Sequence, residues 1–179
     1  MLRILKYCWF VFIMRFTGLL PDFTIVNRLR GWLVRPCFKH CGRRFELCSG
    51  ATFAFTSNIG IGNDVFVANG CWVHGLGGIT IEDEVLLGPF TVLVSVSHTR
   101  RHGSFRRGEL RPGPIILGRG CWTGAHVTVL PGRTVGPGTV VGAGSVVAHD
   151  LPAHALCAGV PAQVVRSFEE PSEFQASTP

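Results

Sequence analysis

Charged residues are scarce in this chain: 16% of 179 residues, with 11 acidic against 17 basic side chains. Sparse charge and 46% hydrophobic content exclude an intrinsically disordered chain, which needs the opposite balance. Long apolar runs are missing too. Leu2 to Leu20 is apolar but broken by Lys6 and Arg15, and its longest uninterrupted stretch is Tyr7–Met14. A bilayer span takes about 20 residues, and the small-residue cleavage site of a secretory leader is lacking. So are a basic helix bearing base-reading residues, an aromatic-basic sheet motif and a paired Cys/His finger, which excludes nucleic acid as the expected partner. The cysteines (Cys8, Cys37, Cys41, Cys48, Cys71, Cys121 and Cys157) are odd in number and scattered. Reduced thiols in a cytoplasmic setting are expected, rather than a disulfide framework or a metal cluster.

What is present is glycine, 23 residues of it, and a net charge of +6. Glycines with few charges suit a solenoid, whose tight corners need Gly and whose interior takes small apolar residues. A single domain of this length buries about two-thirds of its unfolded surface. The positive charge is concentrated in the first 44 residues and between Arg100 and Arg111, which fits an anionic membrane surface or a polyanionic small molecule. Leu2, Leu5, Trp9, Phe12, Phe16 and Leu19 recur at threes and fours, the spacing of one helix face. That face either packs on the domain or a neighbouring subunit, or lies on an anionic membrane, with Arg3, Lys6, Arg15, Arg28, Arg30 and Arg35 drawn to headgroups. Pro21 and Asp22 end this helix before a second one over residues 25–33.

From residue 55 a six-residue period takes over. Leu117, Thr123, Val129, Val135, Val141 and Val147 hold one register, and Gly or another small or apolar residue follows each. Phe55, Ile61, Val67, Val73 and Ile79 hold another upstream, and Ile81, Leu87 and Leu93 resume after a two-residue shift near Gly77–Gly78. No helix has period six. One short strand and one corner per unit, three units to a coil, is the expected architecture, with about five coils between Phe55 and Pro152. Arg133 stands where the other units carry Cys, Val, Thr or Ser. A buried guanidinium must pair, reach out or mark a distorted corner. The expected organisation is an N-terminal helical segment over 1–45, a solenoid over 46–166 with a loop over 95–113, and a flexible tail over 167–179.

That polar, basic loop interrupts the repeat and carries His98 and His102. A long loop leaving a rigid solenoid is where function is expected, and an imidazole is the side chain best poised to take a proton near neutral pH.

Four motifs carry a resemblance: Ala68–Asn69; Ser97–His98; Ile116-Leu-Gly-Arg-Gly-Cys-Trp122-Thr-Gly; and Gly142-Ala-Gly-Ser-Val-Val with Ala158-Gly-Val-Pro-Ala-Gln-Val-Val-Arg166. With them, residues 59–166 resemble the hexapeptide-repeat acyltransferases, in particular the sugar and polysaccharide O-acetyltransferases. The resemblance implies an all-β, left-handed parallel β-helix, a homotrimer, and active sites between subunits. It implies acetyl-coenzyme A as donor, a hydroxyl-bearing sugar or glycan as acceptor, and no metal. His98 becomes the general base, Asn69 an acceptor contact and Glu109 an acid that orients His98 or binds the acceptor. Trp122 would pack on the pantetheine arm, and Gly124 and Ala125 would present backbone N–H groups to the thioester oxygen. Ala143, Gly159, Pro161 and Ala162 would line the coenzyme groove, with Arg166 at its phosphates. Relatives often carry His-Pro where this chain has His98-Thr-Arg-Arg. With Arg100, Arg101, Arg106, Arg107 and Arg111, the arm suits an acidic or phosphate-bearing acceptor. Two other functions are compatible with a solenoid: a γ-type carbonic anhydrase, whose histidine spacing His74, His98, His102 and His126 do not follow, and a non-catalytic scaffold.

Overall fold

An inward apolar residue every six positions can be buried only if the chain turns after each short strand and stacks on itself. A computed structural model describes residues 2–168, and in it the chain does this three times per coil, forming a left-handed parallel β-helix. One face holds strands His40–Cys41, Ile59–Ile61, Ile79–Ile81, Ile115–Leu117 and Thr134–Val135. The second holds Glu46–Leu47, Phe66–Val67, Leu86–Leu87, Trp122–Thr123 and Val140–Val141. The third holds Thr52–Ala54, Trp72–His74, Val92–Val94, Thr128–Val129 and Val146–Val147.

Pairing between coils is parallel, and inward residues stack in files. Cys41, Ile61, Ile81, Leu117 and Val135 form one. Leu47, Val67, Leu87, Thr123 and Val141 form the second, and Phe53, Val73, Leu93, Val129 and Val147 the third. All are buried, each large apolar side chain contributing about 1.5–3 kcal/mol. The one hydroxyl among them is satisfied: Thr123 Oγ1 lies 2.9 Å from Thr91 Oγ1.

These files correct the upstream register. Phe53 points inward, whereas Phe55 is left-handed at φ 57° and 47% exposed. Extra residues enter at the third corner, in the turns at Thr56–Asn58 and 75–78, so the shift seen at Gly77–Gly78 occurs one coil earlier as well. Four complete coils, not five, lie between Phe55 and Pro152, and a fifth precedes them from His40. Arg133 is half-buried just before the last strand of its face; no complete coil covers it, and its guanidinium reaches Asp150 at 3.9 Å.

Helices α1 (Leu2–Thr17) and α2 (Thr24–Val34) cap the first coil, with Phe10 against Phe38 and Phe53. Of the placements open to the spaced face of α1, packing on its own domain is excluded, because that face points outward. Phe10, Ile13 and Thr17 are buried, while Leu5, Trp9, Phe12, Phe16 and Leu19 are exposed. Arg30 of α2 is fully buried, yet all its partners are present: Asp22, Thr17 Oγ1 and O, Leu20 O, Leu47 O and Asn27 Oδ1. Strands Ala155–Gly159 and Ala162–Ser167 pair antiparallel and close the other end. Most of the expected tail, residues 169–179, lies outside the described residues.

Candidate functional site

Two corners of the triangular solenoid carry the residues singled out above. At the corner between the second and third faces, the strand register stacks Asn69, Pro89, Ala125, Ala143 and Gly159 two residues past the inward file. The edge is low because small residues dominate it. Glycine beside it is dictated by packing: a Cβ on Gly124 would stand 2.7 Å from the Ala143 nitrogen. The Gly124 N–H is committed to Val141 O at 2.7 Å, because it belongs to the inter-coil ladder. That corrects the expectation that it faces a thioester. The Ala125 N–H has no partner among the described residues and is a donor available on this edge, as are the N–H groups of Asn69 and Ala143.

On the second face, Leu86, Trp122, Val140 and Leu156 form an outward file ending beside Arg166. Trp122 is 41% exposed, so its indole presents a broad apolar surface between Leu86 and Val140. Arg166 lies three strand steps, about 14 Å, from it and stands over the Phe168 ring. Pro161 forms the exposed hairpin turn beside Gly159, and Ala162 is buried beneath it, which removes its side chain from any groove.

His98 belongs to the other corner. The stretch after Leu93 leaves the solenoid as an antiparallel ribbon, Val96–His98 against Leu110–Pro112, and not as an irregular loop. Its tip is a two-residue hairpin with reciprocal bonds between Arg101 and Ser104 at 3.0 Å and left-handed His102 and Gly103, a geometry in which both central residues must take positive φ. His102 is therefore accounted for by the turn. The chain returns through Phe105–Gly108, and Gly108 is obligatory, since a Cβ there would meet Thr99 O at 1.6 Å.

His98 is exposed, and among the described residues its ring nitrogens have no hydrogen-bond partner. Glu109 pairs with Thr99 through its backbone, at 2.9 Å and 2.8 Å; its carboxylate makes no bond to His98. An open recess of about 700 Å³ is lined by His98, Phe105 and Arg106. The two corners lie a face apart, five residues of strand or about 17 Å, so this recess and the Asn69–Gly159 edge are separate in one chain. Arg100, Arg101, Arg106, Arg107 and Arg111 are all exposed on the arm.

Residues 114–149 match the family model for the bacterial transferase hexapeptide, described as six repeats. The galactoside O-acetyltransferase of Escherichia coli K12 is 33% identical over 138 residues, 77% of this chain and 68% of that protein. A putative acetyltransferase of Staphylococcus aureus is 42% identical over 118 residues, 65% of this chain but only 59% of its own length. A solved galactoside acetyltransferase in complex with coenzyme A superposes with a TM-score of 0.81 at 29% identity, over 93% of this chain and 82% of that one. The chain is a hexapeptide-repeat acetyltransferase.

One residue of this acetyltransferase escaped sequence reading. Asp22, which the sequence presents as a helix breaker, accepts from Ser49 N at 2.9 Å, Ser49 Oγ at 2.7 Å, Asn69 Nδ2 at 2.5 Å and Arg30. Burial by itself raises the Asp22 pKa, but the bonds from Ser49, Asn69 and Arg30 outweigh it and hold the carboxyl below its ordinary value. Asp22 fixes the Asn69 amide and ties the helical cap to the low edge. The signal was available: it is the one acid among nine basic residues in the first 45. The acetyltransferase's buried thiols take no part. Burial pushes Cys41, Cys48 and Cys71 up to about 11 and Cys121 to about 12, far from a thiolate nucleophile at neutral pH.

Proposed function

We propose that the protein transfers the acetyl group of acetyl-coenzyme A to a hydroxyl of a sugar or glycan acceptor, at sites shared between copies of a homotrimer. The observation that carries this reading is the division of labour between corners. The arm holding His98 hangs from one corner, while Asn69, Ala125, Ala143 and Gly159 line another. Each is half a site, and a cyclic assembly sets the arm of one copy beside the low edge of the next. The likeness to a galactoside acetyltransferase solved with coenzyme A supports the donor, and the galactoside O-acetyltransferase relative supports a sugar acceptor. Seven free cysteines support a reducing, cytoplasmic setting.

In this reading Trp122 carries the pantetheine arm, Ala143, Gly159 and Pro161 bound its groove, and Arg166 meets the phosphates. The acceptor hydroxyl lies between His98 and Asn69, with Glu109 at the arm side. As its oxygen attacks the thioester carbonyl, His98 takes the hydroxyl proton. The C–O bond forms, charge on the carbonyl oxygen is met by the Ala125 N–H, the C–S bond breaks, and the proton leaves with the coenzyme thiol. Holding both substrates in one cleft supplies orientation, and no acyl-enzyme intervenes.

Thiol release from acetyl-coenzyme A against a panel of sugars and glycans tests this. His98→Ala is expected to lower kcat by about 10²–10⁴ with the oligomer's mass unchanged. A His98→Ala protein as active as the parent overturns the assignment.

A further inference from the structure

Thirteen of the 25 large hydrophobic side chains exposed on the described chain lie between Ile4 and Trp32, far more than the scattered singles normal on a surface. On α1, Leu5, Trp9, Phe12 and Phe16 form a line at helical spacing, with Phe12 stacked on Phe16 at 6.0 Å and Trp9 6.1 Å from Phe12. On α2, Ile25, Leu29 and Trp32 form a second line, with Ile25 81% and Trp32 67% exposed. The lines join. Trp9 Nε1 donates to Leu33 O at 2.9 Å, and Leu5, Trp9, Trp32 and Leu33 bound one groove with Lys6 and Arg35.

The rim of this face is basic. Lys6 and Arg35 edge the groove, Arg15 is exposed farther along α1, and none of the three forms an ion pair among the described residues. The only acid in the first 45 residues, Asp22, is turned to Arg30, Ser49 and Asn69. A second copy of this +6 chain brings the same basic rim and little negative charge to meet it. An anionic lipid surface offers what the face lacks: hydrocarbon for the aromatic lines and phosphates for the rim. No helix among the described residues is long and apolar enough to cross a membrane, so the pair lies along the surface.

We infer that the α1–α2 face docks the protein on an anionic bilayer. The test is co-sedimentation of the intact chain with phosphatidylcholine vesicles, with and without about 30% phosphatidylglycerol. The parent binds the anionic vesicles, binding weakens with salt, and brominated lipid quenches its tryptophan emission. The triple variant Lys6→Glu, Arg15→Glu, Arg35→Glu binds at least about 100-fold more weakly, at roughly fivefold for each basic residue lost. The double variant Phe12→Glu, Phe16→Glu loses binding while its Tm and its transfer to a soluble acceptor hold. No binding by the parent, or undiminished binding by the triple variant, overturns the inference. So does dissociation of the oligomer in the double variant, which assigns the face to a second copy.

Discussion

Asp22 gathers four donors from three parts of the chain, so its protonation state is tied to the seating of the helical cap on the low edge. A carboxyl whose folded pKa is depressed contributes stability that is present above its unfolded value and lost as pH falls through the folded one. The window therefore opens near the ordinary aspartate pKa of about 3.9 and extends below it. Asp22→Asn is expected to cost about 1 kcal/mol at neutral pH and to lose less Tm between neutral pH and strong acid than the parent does. Parallel Tm losses in the two proteins would refute the role. At the same scale Arg30 explains why a guanidinium survives in the core: six acceptors surround it. Substituting it with Ala takes one of four donors from Asp22, leaves the Leu20 and Leu47 carbonyls without theirs and is expected to cost about 3 kcal/mol or more in chemical denaturation.

The arm is an element whose shape and charge have different origins. Its shape follows from ribbon pairing and the His102–Gly103 turn, which keeps His98 at a fixed distance from the solenoid. Its five exposed arginines are not needed for that shape, since the ribbon's bonds are made by backbone. They are available for an acidic or phosphate-bearing acceptor. Changing Arg100, Arg101, Arg106, Arg107 and Arg111 to Glu is expected to raise KM for an anionic glycan at least tenfold, and to leave KM for neutral sugars and kcat unaltered. Equal effects on both acceptor classes would sink the charge argument. Helix α1 shows how an element can be legible while its orientation is not. It is apolar nearly all round, and such a helix does not declare which stripe goes inward. The aromatic stripe with the clearest spacing faces out, because Phe10 and Ile13 fit between Phe38, Phe53 and α2.

For the whole molecule, the separation of the His98 corner from the Asn69–Gly159 edge is the ground for proposing that assembly in a trimer is part of the chemistry. Chains carrying His98→Ala keep an intact edge, and chains carrying Ala143→Trp, which blocks the edge, keep an intact His98. Each alone should be inactive. Co-expressed, they should form mixed trimers in which roughly a quarter of the junctions pair two intact halves, restoring about that share of parental activity. Mixed trimers without activity would mean that each chain builds its site alone.

The six-residue period was enough to specify the solenoid, its three faces and the place where the arm leaves, because each inward residue repeats a local steric pattern that only stacked short strands satisfy. The helices were legible from apolar spacing, and the candidate residues from motifs. Other features depended on neighbours distant in sequence. The register before Ile59, the commitment of the Gly124 N–H, the escape of Arg133 at the last strand of its face, the pairing of Asp22 with Asn69 and the outward turn of the aromatic stripe were decided by tertiary structure. A polar partner outside the repeating register leaves no periodic trace in the chain, and which of two apolar stripes is buried depends on the shape it must fill.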